Sequence, residues 1–99
     1  MHPKPAQTVV IPQVVAPSVH LNGTSQKSLL DSRGDAYDAL NKAYEVLKQT
    51  APNRRDYYVS ADPKSLERAT EQHMARLRAI QAVMDSLESE MDLILQQEG

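Results

Sequence analysis

The sequence predicts an all-α protein: an antiparallel helical hairpin with a long C-terminal helix and an extended N-terminal arm, assembled as an oligomeric helical bundle. Three observations carry that expectation. Leu66, Ala69, Thr70, His73, Leu77, Ile80, Met84, Leu87, Met91 and Ile94 recur at alternating steps of three and four, the coiled-coil spacing of a helix lying along other helices. A second run, Leu30, Arg33, Tyr37, Leu40, Tyr44 and Leu47, keeps the same step and ends at Ala51-Pro52-Asn53, which stops a helix. The only aromatics are four Tyr, so the core must be Leu, Ile, Val, Met and Ala, a supply that favours packed helices and association between copies.

Ninety-nine residues make one small domain, near the lower limit for a comfortable core. Cysteine is absent, which excludes a disulfide framework, a thiolate metal site and a cysteine nucleophile. The start of the chain lacks a basic region followed by an apolar run, and no apolar stretch approaches membrane-spanning length. The expectation is a soluble, cytoplasmic protein with no membrane partner. The net charge of −2 hides an asymmetry: residues 1–58 carry seven Lys/Arg against five Asp/Glu, and residues 59–99 carry four against eight. On this balance general nucleic-acid binding is not expected. The acid gathers at Asp85, Glu88, Glu90, Asp92 and Glu98, where it opposes the helix macrodipole, so either packing or a basic neighbour must compensate.

Residues 1–19 hold four of the six prolines, so no helix runs through them. Two readings stand: a disordered tail, or an extended arm on an apolar groove, the latter favoured by five Val/Ile between Val9 and Val15. Residues 20–99 form the hairpin domain. Asn22-Gly23 is a turn dipeptide, and Thr24 or Ser25 caps a first helix expected over about 25–50. Gly34 interrupts it at a cost of about 1 kcal/mol and marks a close helix approach or a kink. A connection of about a dozen residues follows, longer than an ordinary helix–helix turn. Asp62 as cap and Pro63 at the first helical position then open a second helix over about 63–97. Pairing Leu47 with Leu66 sets Leu40 near His73, Tyr37 near Leu77 and Leu30 near Met84. The second helix then outruns its partner, leaving Leu87, Met91 and Ile94 as an uncovered stripe of about 15 Å, the expected oligomer interface unless the arm covers it.

Two clusters are candidate binding sites. Asn53 to Tyr58 places Arg54 and Arg55 beside Tyr57 and Tyr58: two guanidiniums suit a phosphate or carboxylate, and the phenols suit a flat ring. Asp56 is placed to orient an arginine. The alternative is structural, with the tyrosines plugging the hairpin end and an arginine holding the last carbonyls of the first helix. The second cluster, Asn22, Thr24 and Ser25, offers free N–H groups and two hydroxyls at a helix start, an anion seat or an ordinary cap. About 25 helical residues, roughly 38 Å, separate the clusters, so they can meet only across two antiparallel copies.

No catalytic or metal-binding set is indicated. His73 reads as a hydrogen-bonded core residue, while His2 and His20 lack partners at ligand spacing. Glu67 and Glu71 with Arg68 and Arg78 form a solvated charge face. Arg33-Gly34-Asp35 spells an adhesion tripeptide, but a helix denies it the exposed loop that such recognition needs.

His20-Leu21-Asn22-Gly23-Thr24-Ser25 before a helix, and Ala51-Pro52-Asn53-Arg54-Arg55-Asp56-Tyr57-Tyr58 before a second, resemble a small helical protein family of phages and prophages. The resemblance covers roughly Val19 to Met91 and rests on Asn22-Gly23-Thr24-Ser25 and Arg55-Asp56-Tyr57-Tyr58; Arg54 departs from the glycine that relatives carry before RDYY, and the arm is not covered. It implies an accessory protein acting in the cytoplasm of a bacterial host. The residues point to a non-enzymatic oligomer, requiring no cofactor, that binds a small anionic, nucleotide-like ligand in pockets shared between subunits; in a phage this suits sequestration of a host defence signal. The second reading is a helical protein–protein interaction module, an assembly adaptor or an inhibitor of a host protein.

Overall fold

A computed structural model describes residues 10–97. Two helices account for most of them: α1, Gln26–Lys48, and α2, Ser65–Leu95, joined by residues 49–64 with a single 3-10 turn at Arg54–Asp56. The described residues contain no strand, and the all-α hairpin expected from the two apolar runs is what forms. The helix ends fall within two residues of those the capping signals mark. The expectation for residues 1–9 lies outside the described residues.

Each end has a local cause. Ser25 is extended and its Oγ accepts from the Ser28 N–H at 3.1 Å, satisfying one of the free donors of α1. At the far end Thr50 Oγ1 donates to the Leu47 carbonyl at 2.8 Å. The start of α2 is displaced from its expected place. Asp62 caps a turn rather than the helix itself: its Oδ1 accepts from the Lys64 N–H at 2.9 Å and its Oδ2 from Arg68 Nη1 at 2.7 Å. Pro63 sits in that turn, and α2 begins at Ser65 with no side-chain cap.

The pairing of the helices differs from the sequence expectation. Leu30 beside Met84 would put Arg33 opposite Gln81, yet Arg33 Nε donates to Glu90 Oε2 at 2.6 Å. Gln26 Nε2 likewise reaches the carbonyls of Ile94 at 2.9 Å and Gln97 at 2.8 Å. The helices are therefore slid by about two turns. The connection permits this: sixteen residues are long enough that Leu47 need not face Leu66.

This register overturns the uncovered stripe. The first turns of α1 lie over the last turns of α2, and Ile94 is 0% exposed within one chain, so it cannot serve as an interface between copies. Leu87 and Met91 are half-buried. Leu29, absent from the expected seam, is the buried side chain of α1 in place of the half-buried Leu30, and Leu77 and Met84 complete the small core. Gly34 marks no close approach, since a Cβ there would meet nothing within 4 Å.

The hairpin spans 63 × 31 × 16 Å with a radius of gyration of 19.0 Å, against about 13 Å for a compact chain of this length. Its short dimension is little more than one helix diameter of about 10–12 Å. Among the described residues no third helix packs on this layer.

Candidate functional site

The two clusters occupy opposite ends of α1, whose 23 residues span about 34 Å. One chain keeps them apart, as the sequence requires.

The loop cluster is organised by Asn53, not by Asp56. Asn53 Oδ1 accepts from the Arg55 N–H at 2.9 Å, capping the 3-10 turn, and from Arg55 Nε at 3.4 Å. The Arg54 carbonyl accepts from the Tyr57 and Tyr58 N–H groups, both at 3.1 Å, which folds the loop tightly. Asp56 makes no side-chain hydrogen bond or ion pair among the described residues. The structural alternative is met only in part. Tyr57 is half-buried, but Tyr58 is 76% exposed and plugs nothing. The last carbonyls of α1 are used by Gln49, Thr50 and Ala51, so neither arginine is needed there. Both arginines are exposed, and none of the four ion pairs among the described residues involves them. Arg54, Tyr57 and Tyr58 border a recess of about 180 Å³ closed on its other side by Pro63, Ser65, Leu66 and the carboxylate-bearing Asp62, while Arg55 lies outside its walls.

At the opposite end, the Gly23 N–H donates to the His20 carbonyl at 3.1 Å, closing a tight turn. Gly23 has no positive φ, and a Cβ there would stand 2.5 Å from His20 Nε2, the tip of an exposed ring that can swing aside. Asn22 and Thr24 are exposed and make no side-chain hydrogen bond among the described residues. The Ser25 hydroxyl is engaged as the cap of α1. A cleft of about 610 Å³ opens here between Val19, His20 and Leu21 on one side and Gln26 and Lys27 on the other. Lys27 lends it little net positive charge, because its ammonium donates to Asp31 at 2.6 Å. That hydrogen bond, aided by the carboxylate charge, raises the Lys27 pKa above the ordinary lysine value.

Two glutamines escaped sequence reasoning. Gln26 caps the C-terminal carbonyls of α2, and Gln97 bonds the arm at Pro17 and Val19. Glutamine near a helix end carries no distinguishing signal, so only the observed register exposes these roles. His73 is 6% exposed but lacks the hydrogen bond expected of it, since its Nδ1 has no partner. Among the described residues no group of three potential ligands is placed to hold a metal ion, and no helix is long and apolar enough to cross a membrane. No protein-family model, curated protein or solved structure matches this chain. Fold and side-chain chemistry alone therefore define the class: a thin all-α hairpin with an arginine–tyrosine loop at one end and a polar turn at the other.

Proposed function

We propose that this chain is a non-enzymatic phage or prophage accessory protein that binds a small anionic, nucleotide-like ligand in pockets shared between copies, sequestering a host defence signal in the bacterial cytoplasm. One observation carries the reading. Arg54 and Arg55 are exposed cations with no carboxylate at ion-pair distance among the described residues, on a loop shared with two tyrosines. Guanidiniums not consumed by internal pairs are suited to phosphate, and the Tyr58 ring is free to stack on a base. Sharing follows from size. The recess of about 180 Å³ holds a phosphate-sized group, whereas small-molecule pockets run to about 300–1,000 Å³. A second copy, packed antiparallel, supplies the remainder through Asn22, Thr24 and Ser25.

Assembly no longer rests on a bare stripe along α2. Its support is the 16 Å thickness of the hairpin, in which the described residues form no second layer to bury a face against. The test is a thermal-shift and calorimetric titration with mononucleotides and dinucleotides. A ligand that binds only the folded state raises the midpoint. Arg55→Ala with Tyr58→Ala should abolish the shift while the assembly persists. If no member of the panel moves the midpoint of the wild-type protein, the ligand reading fails.

A second reading, a protein–protein interaction module, draws on Val15, Leu21 and Leu95, apolar side chains exposed at the arm end, with Leu21 98% exposed. On that reading the loop substitutions are silent and Leu95→Glu abolishes partner binding.

A further inference from the structure

Residues 10–20 run beside α2 without regular structure, and one side chain holds them at two points. Gln97 Oε1 accepts from the Val19 N–H at 2.8 Å, and Gln97 Nε2 donates to the Pro17 carbonyl at 2.9 Å. An acceptor and a donor offered to positions two apart reproduce what one residue of a neighbouring parallel strand provides. Gln97 is itself anchored, its main-chain carbonyl accepting from Gln26 Nε2 at 2.8 Å. Further back, Ile11 and Val14 border a groove on the small side chains Ala82, Ser86 and Ser89 of α2. Little else secures the segment. Pro12 and Pro17 have no N–H to donate, and Val10 and Val15 point into solvent at 83% and 88% exposure. A segment with few buried contacts opens at low cost while the helices stay folded.

We propose that residues 10–19 are a strap, latched by the Gln97 carboxamide, that opens about the His20–Gly23 turn and in its closed position sets Val19 into the cleft at the start of α1. The inference goes beyond the ligand reading and needs no ligand. Val19 is both the latched residue and a wall of that cleft, and Gln26 opposite it is tied to the same Gln97. Opening the latch therefore withdraws Val19 from the cleft and leaves His20, Leu21 and Gln26 in place.

The test is amide hydrogen exchange on the full chain. Losing two partly buried hydrogen bonds in Gln97→Ala should lower the protection of the Val19 amide about tenfold or more, with Leu40 and Leu77 amides unchanged. Gln97→Glu separates the latch from a general loss of structure. At neutral pH its carboxylate still accepts from Val19 but has no hydrogen for the Pro17 carbonyl. Below the ordinary glutamate pKa of about 4.3 the acid O–H donates there again. Val19 protection in that variant, referenced to wild type at the same pH, should rise on acidification. The chain has no cysteine, so Val14→Cys gives a single thiol whose labelling should accelerate when Gln97→Ala is added. A Val19 amide that exchanges freely in wild type, or labelling and protection that ignore Gln97, would overturn the strap.

Discussion

Arg33 and Glu90 meet across the hairpin, Nε to Oε2 at 2.6 Å, with only 29% and 20% of their side chains exposed. This pair places the first turns of α1 over the last turns of α2 and gives one of the late-helix carboxylates its basic neighbour. Arg33→Ala leaves a shielded carboxylate with no described partner and should cost about 1–3 kcal/mol. A double-mutant cycle with Glu90→Ala, read by urea unfolding, should return a coupling of about 1 kcal/mol. Additivity would mean that the pair does not set the register.

Gln26 supplies α2 with a C-terminal cap from another element, and the last turn of α2 holds no basic residue of its own. Gln26→Ala should destabilise by about 1 kcal/mol and increase exchange at the last amides of α2. Gln26→Arg should hold or raise stability, because a cation at that end complements the macrodipole. Equal losses from both substitutions would refute the capping role.

The two helical-domain glycines near α1 should respond differently to alanine. At Gly34 the added methyl meets nothing within 4 Å, so Gly34→Ala should stabilise by about 1 kcal/mol, raising the midpoint by about 4–8 °C. At Gly23 the added Cβ meets only the exposed His20 ring, which can rotate aside, so Gly23→Ala should change stability by less than about 0.5 kcal/mol. Calorimetry of the two variants checks that only Gly34→Ala raises the midpoint.

His73 is buried with an unpaired Nδ1, a polar atom taken from water without compensation. His73→Leu removes that penalty at similar volume and should stabilise by about 1–2 kcal/mol in urea unfolding. A loss of stability would show that the imidazole serves the fold in some other way.

The contrast between helix ends and helix register shows how far the sequence could be read. Ser25 and Pro52 act locally, on groups a few residues away, so their effect is visible in the chain itself, whereas Asp62 caps a turn before α2 and not the helix. Pairing is not local. Alternating steps of three and four repeat every seven residues, and a heptad pattern fits nearly as well when slid by a heptad. Arg33 with Glu90 and Gln26 with Ile94 break that degeneracy, but an arginine in an apolar run and a glutamine at a helix start do not advertise it. The candidate site divides in the same way. Arg54, Arg55, Tyr57 and Tyr58 stood out as a composition anomaly on a loop. That Asn53, and not Asp56, holds Arg55 is a matter of loop geometry. Gln97 left no trace because its role depends on an arm with no period to read.

The most direct test of a site shared between copies is complementation. One variant carries Arg55→Ala and Tyr58→Ala; the other carries Thr24→Ala and Ser25→Ala. Each alone should fail to bind the nucleotide or dinucleotide that wild type binds. Unfolded together and refolded as mixed antiparallel dimers, they should regain binding at about a quarter of the pockets, those built from two intact halves. Calorimetry that finds no recovery in the mixture, or full binding by either variant alone, would contradict the shared pocket.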